Sequence, residues 1–168
     1  MPSTFQTKLC ATALAEVGVH ESPKNSNLGP RVNQFKAATN LPPTEAWAWC
    51  AAFICFVVRD ALAACGVKLT KGFVRPTTAG AWDFINWSKA QDDRTTTLMS
   101  PRAKDIQVGD IVVFKFSHIG LAVSGADAGG TFWACEGNTD LAGSREGGGV
   151  YKRTRNISSV KARIRINL

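Results

Sequence analysis

Thirteen consecutive residues from Ala46 to Val58, AWAWCAAFICFVV, pass without a single charge. A water-soluble fold must bury such a run, and its apolar residues recur on every face until Arg59-Asp60, so no solvent-facing stripe is left. The run therefore predicts a buried helix. Pro42-Pro43-Thr44-Glu45 stop whatever precedes it, and Gly66 ends it. Cys50 falls at its N-terminal end, where unpaired backbone N–H groups and the positive end of the helix dipole favour a thiolate over a thiol. The same stretch is equally compatible with Cys50 as a small buried hydrophobe, the common fate of a free cysteine. It is shorter than the roughly 18 to 20 apolar residues of a membrane span, so no transmembrane helix is expected.

The segments on either side set the fold class. Ser3-Thr4-Phe5-Gln6 offers a capping box for a first helix running to about Val17, closed by Gly18. Arg31 to Thr39 predicts a second helix capped by Asn40, and Ala79 to Lys89 a further one with Thr78 as N-cap and Trp82, Ile85 and Trp87 turned inward. Gln91 to Pro101 reads as polar and turn-rich. Beyond it the sequence alternates with period two, which predicts strands near 111–115, 118–124, 131–137, 149–155 and 160–166. Helices first and an antiparallel sheet of about five strands afterwards is an α+β domain, and 168 residues make one domain, 1–168.

Composition narrows the function classes. The five cysteines are odd in number and show no CxxC or Cys/His zinc spacing, so free thiols made in a reducing cytoplasm, with no metal and no cofactor, are expected. Leu9 to Ala15 is a poor signal peptide, since only Lys8 precedes it and Glu16 follows at once. The net charge of +7 concentrates at the C-terminus, where Arg145, Lys152, Arg153, Arg155, Lys161, Arg163 and Arg165 face Glu146 alone. An anionic partner, or a solvated edge strand over 160–166, would account for that. Nucleic acid has only the charge in its favour, because no helix-turn-helix, zinc or aromatic RNA-binding signature accompanies it.

A nucleophilic thiol needs a base, and the chain has two histidines, His20 in a loop and His118 at the start of a predicted strand. Gly120 and Ala122 share a face with His118, leaving room beside the ring. Symmetric closure of the hairpin around Ser124–Gly130 sets Glu136 directly opposite His118. A slip by two keeps the pair on one face as diagonal neighbours. A carboxylate beside a histidine fixes its tautomer and stabilises the imidazolium.

Trp49-Cys50-Ala51-Ala52-Phe53, Gly109 to Phe114, Ser117 to Val123 and Glu136-Gly137-Asn138-Thr139, in that order, resemble the CHAP family of papain-like peptidoglycan hydrolases, relatives of the NlpC-type peptidases. The resemblance implies a papain-like fold, with the nucleophile helix packed on the sheet, and cysteine-dependent cleavage of an amide bond in peptidoglycan. Cys50 would be the nucleophile, His118 the general base and then acid, Glu136 the group orienting the histidine, and Asn138 a polar helper. It also implies a monomer delivered to the wall or periplasm of a target bacterium, as a phage endolysin or as an injected effector, the latter with a cognate immunity protein. The alternative is a non-catalytic module that holds the wall or another anionic polymer through its basic C-terminal strands.

Overall fold

The computed structural model describes residues Met1–Leu168. Four helices, α1 (Thr4–Leu14), α2 (Pro30–Lys36), α3 (Cys50–Ala64) and α4 (Asp83–Lys89), precede six strands, β1 (Thr95–Met99), β2 (Ile111–Phe114), β3 (Ile119–Ala122), β4 (Thr131–Thr139), β5 (Gly149–Asn156) and β6 (Val160–Ile166). Every strand pairing is antiparallel, in the order β1-β6-β2-β3-β4-β5. The fold is α+β and papain-like.

Local chemistry accounts for the helix boundaries, which are shorter than the sequence suggests. Ser3 and Gln6 form the expected capping box at α1, but the helix stops at Leu14, short of Val17, and Gly18 at φ 95° turns the chain. At the end of α2 the amides of Ala38 and Thr39 bond to Phe35 and Lys36. These three-residue bonds tighten the last turn, so the helix ends before Thr39 and Ala37, not Asn40, caps it. Thr78 does not cap α4. Its hydroxyl donates to Asp83 and accepts from the Gly80 amide, holding a turn, and the helix begins only at Asp83. Trp82, expected inside, is 45% exposed and instead donates its indole N–H to the Phe114 carbonyl at 2.9 Å.

The uncharged run behaves as its composition demands. Helix α3 starts at Cys50, and every residue from there to Val58 is buried. One core joins its Phe53, Ile54 and Val57 to Leu9 of α1, Phe35 of α2 and the inward residues of the sheet, Ile111, Val113, Ile119, Leu121, Cys135, Ala162 and Ile164. The alternate residues Val112, Phe114, Ala122, Phe132, Ala134 and Val160 form a second, smaller cluster on the opposite face. Each large apolar side chain so buried stabilises the fold by about 1.5–3 kcal/mol.

Two expectations about the sheet need correction. Thr95–Met99, within the segment read as turn-rich, is a strand paired with β6 and forms one edge of the sheet. Its threonines are polar but β-branched, and an edge strand does not need an apolar face. Consequently β6 is not an edge strand, since it lies between β1 and β2. Its cations are engaged as well: Arg165 clasps the buried Asp110 through two bonds of 2.7 Å, Arg163 donates to Thr96, and Lys161 lies 4.6 Å above the Trp82 ring. The cations of β6 are therefore engaged within the protein and do not form a free cationic face for an anionic partner.

The β3–β4 hairpin pairs Leu121 with Cys135 and Ala122 with Ala134. This is the slip by two, which by continuation sets Gly120, not His118, opposite Glu136. On its other side β4 pairs Glu136 with Tyr151 and Thr139 with Gly149, so Gly137 and Asn138 together face Val150 alone. That extra residue is a bulge, and Asn138 takes φ 55° within it. At Gly137 the strand meets the start of α3: a Cβ there would lie 2.6 Å from Phe53 Cβ and 2.8 Å from Trp49. Gly137→Ala is expected to destabilise the protein by about 1–3 kcal/mol, read as a lower urea midpoint with an unchanged slope. An unchanged midpoint would mean that strand and helix can separate freely.

Candidate active site

Cys50 opens α3 with no side-chain cap above it. The first intrahelical bond runs from the Phe53 amide to the Trp49 carbonyl, so the N–H groups of Cys50, Ala51 and Ala52 have no helical acceptor. Cys50 is 6% exposed. Trp49 fixes the entry to the helix, because its indole N–H donates to Glu21 Oε1 at 2.8 Å inside the protein. The preceding loops are tied by Lys36, whose buried ammonium donates to the carbonyls of Asn27 (2.8 Å) and Glu45 (2.6 Å) beneath the Trp47 ring.

His118 is fully buried just ahead of β3, after a tight turn in which Ser117 adopts φ 58°. Its ring continues a stack of Phe114 and Phe116 at centroid distances of 5.2 to 6.0 Å. His118 Nε2 lies 3.0 Å from Glu136 Oε2. An ionised carboxylate can only accept, so Nε2 carries the proton. Nδ1 makes no hydrogen bond within the protein and is the nitrogen left for the Cys50 thiol. Burial opposes charge on the ring, but the nearby Cys50 sulfur and the Glu136 carboxylate bonded to Nε2 outweigh it, lifting the pKa from 6.5 to about 9.

Glu136 reaches His118 diagonally. The glycine opposite it makes this approach feasible, since a Cβ on Gly120 would come within 2.6 Å of Glu136 Cγ. The carboxylate is fully buried, which by itself would raise its pKa, yet hydrogen bonds from Arg155 and His118 hold it below the ordinary value. Arg155 bridges both oxygens, Nε to Oε1 at 2.7 Å and Nη2 to Oε2 at 2.6 Å. Its guanidinium lies 5.0 Å from the Phe114 ring and 5.1 Å from that of Phe116.

The structure thus brings Cys50, His118 and Glu136 together and adds Arg155, which sequence reasoning counted only as charge. Asn138 is buried in the bulge of β4, and neither its amide oxygen nor its amide nitrogen makes a hydrogen bond. His20 stands elsewhere, edge-on to Tyr151. With Glu21, Asn25, Asp140 and Gly148 these two line an open cavity of ≈980 Å³. Cys50 does not line it, but its walls are tied to the site: Glu21 holds Trp49, Tyr151 pairs with Glu136, and the Gly147 amide bonds the Asn138 carbonyl. No three His, Cys, Asp or Glu side chains gather as a metal site, and no helix is long and apolar enough to cross a membrane.

The remaining cysteines differ from Cys50. Burial pushes Cys10 up to about 11 and Cys55 and Cys135 up to about 12, and each thiol donates to a backbone carbonyl. Cys65 is partly exposed but has no histidine beside it. Iodoacetamide near neutral pH is expected to label Cys50 first, and His118→Ala to slow that labelling selectively, as followed by peptide mass spectrometry. Faster labelling at any other cysteine would count against the pairing.

No family model matches the chain, and no curated protein matches it. Among solved structures it is similar to one described as a wild-type endolysin, LysIME-EF1, at 16% sequence identity and a TM-score of 0.57. The match covers 96% of this chain and 64% of that one, so the chain spans less than two thirds of its structural neighbour. At this identity the likeness is one of fold.

Proposed function

We propose that this protein is a cysteine-dependent hydrolase of the CHAP type, a single catalytic domain that cleaves an amide bond of peptidoglycan. The buried His118–Glu136 pair, set beside a thiol at an uncapped helix start, is the observation that carries the reading. That combination serves nucleophilic acyl transfer. The endolysin fold of the structural neighbour supports a bacterial wall as the substrate and an endolysin or injected effector as the biological form.

In the proposed cycle the Cys50 sulfur attacks the amide carbonyl. The oxyanion is received by free N–H groups at the start of α3, helped by the helix dipole. Protonated His118 gives its Nδ1 proton to the departing amine, leaving a thioester on Cys50. Neutral His118 then takes a proton from water, hydroxide adds to the thioester carbonyl, and the acid leaves as the sulfur is released. Glu136 stays ionised and holds Nε2–H throughout. Asn138, whose buried amide bonds nothing in the protein, is taken as the polar helper towards the substrate. The cavity lined by Glu21 and Tyr151 offers room for the peptide chain.

Digestion of purified sacculi, with mass spectrometry of the released fragments, tests the reading. New amine and carboxyl termini at one amide bond are expected, and their position identifies the bond. No release, or cleavage only between sugars, would overturn it. The rate should fall on the alkaline side near pH 9, because His118 loses above that value the proton that the leaving amine needs. A kcat that keeps rising well beyond pH 9 would show that some other group is the acid. The alternative of a non-catalytic anion-binding module draws little support from β6, whose arginines are engaged by Asp110 and Thr96.

A further inference from the structure

The bridge from β5 to the triad carboxylate is the feature of the site that hydrolysis alone does not require. We propose that Arg155 is a positioning residue that fixes the Glu136 carboxylate and keeps it ionised, so that Glu136 can serve His118; this rests on the proposed cysteine hydrolase chemistry.

The argument starts from the environment of Glu136. The carboxylate is fully buried, and such a group takes up a proton unless charge and hydrogen bonds oppose it. His118 supplies one hydrogen bond to Oε2, but only while Nε2 carries a proton. Arg155 supplies one to each oxygen and cannot lose its charge in the working range. A bidentate guanidinium also sets the plane of the carboxylate, which a single bond does not. The plane decides whether Oε2 meets Nε2, and so whether Nδ1 is turned to the thiol.

Arg155 is itself held. Its guanidinium lies over Phe114 and Phe116, the two rings that also lie against His118, so the same aromatic pair supports both groups that bond Glu136. The other charged groups around the carboxylate do not replace it. Arg153, on the same strand, acts on Glu136 only from a distance and donates to the Asp140 carbonyl, and Cys50 acts from α3 through His118. The neighbouring Cys135 thiol points to the Ala13 carbonyl.

The experiment compares wild type, Arg155→Met, Arg155→Gln and Arg155→Lys, each verified as folded by circular dichroism. Two pH profiles are measured, kcat/KM on sacculi and the rate of Cys50 alkylation by iodoacetamide, the second needing no substrate. Without the guanidinium, Glu136 should take up a proton at higher pH. The acid limb of both profiles should then move upward by about one to three pH units in the Met and Gln variants. Arg155→Lys keeps a charge but cannot span both oxygens, so its acid limb should stay near that of wild type while its plateau falls. Unmoved acid limbs in the Met or Gln variant, even with a uniform loss of rate, would reduce Arg155 to packing and overturn the proposal. If wild type releases nothing from sacculi but the alkylation limb moves, the hydrolase reading falls and the assignment of Arg155 stands.

Discussion

Cys50→Ala and His118→Ala are each expected to reduce release from sacculi to background, a loss on the order of 10⁶-fold, with the double variant no worse than either single one. The non-additivity follows from the geometry. In the proposed cycle the sulfur and Nδ1 act as one unit, in which the ring both stabilises the charged nucleophile and protonates the leaving amine, so removing either partner would remove both functions. Neither change should unfold the protein. Cys50→Ala deletes one atom at a helix start that has no side-chain cap to lose. His118→Ala removes one partner of the buried Glu136 carboxylate, but Arg155 still holds both of its oxygens, so no unpaired charge is left inside. Turnover of sacculi by the purified variants, checked against their urea unfolding, measures this. Wild-type release by Cys50→Ala would remove the thiol from the chemistry and the proposed function with it.

The readable part of the site was the part encoded in short periods. Alternation over 111–122 and 131–137 separates Ile111, Val113, Ile119, Leu121 and Cys135, which pack against the helices, from Val112, Ala122, Phe132 and Ala134, which do not. That parity alone places His118 and Glu136 on one face whether or not the hairpin slips by two. The slip was not readable, because the loop Ser124–Gly130 does not close symmetrically. Its Asp127 carboxylate accepts from the Thr131 amide and its Ser124 hydroxyl from the Trp133 amide. These bonds start the ladder elsewhere.

Arg155 stayed hidden for a different reason. It is one of seven basic residues near the C-terminus, and composition gives each the same weight. What distinguishes it is the β4–β5 pairing, in which Arg155 lies opposite Phe132, with Tyr151, Arg153 and Arg155 on the face of Glu136. Alternation would have given that face had the register been known, but the bulge at Gly137 and Asn138 shifts it by one residue. The edge strand β1 was missed because Thr95, Thr96 and Thr97 present no contrast between faces. Its place is set by the backbone ladder to β6, a long-range pairing with no local signature.

The second large effect concerns Glu136. Glu136→Gln keeps shape and volume but removes the charge that stabilises imidazolium, and an amide turned with its nitrogen towards Nε2–H would oppose it. A loss of about 10²- to 10⁴-fold in rate is expected. Asn138→Ala should cost less. The observed register, continued by count, brings Asn138 opposite His118, yet Nε2–H donates to Glu136, and the Asn138 amide bonds nothing in the protein. Gly120→Ala separates position from charge, because it leaves every reacting group chemically intact. Its Cβ would intrude to 2.6 Å from Glu136 Cγ and 3.2 Å from the Cys135 carbonyl. The side chain of Glu136 would have to swing away from His118 or the strands would have to part. Loss of rate approaching that of Glu136→Gln, with the alkaline limb near pH 9 moving downward as the imidazolium loses its carboxylate, is therefore expected of Gly120→Ala. Kinetics of the three folded variants on sacculi make the comparison. Should Asn138→Ala be the inactive one while Glu136→Gln and Gly120→Ala work at nearly the wild-type rate, the amide, not the carboxylate, is the group that orients His118.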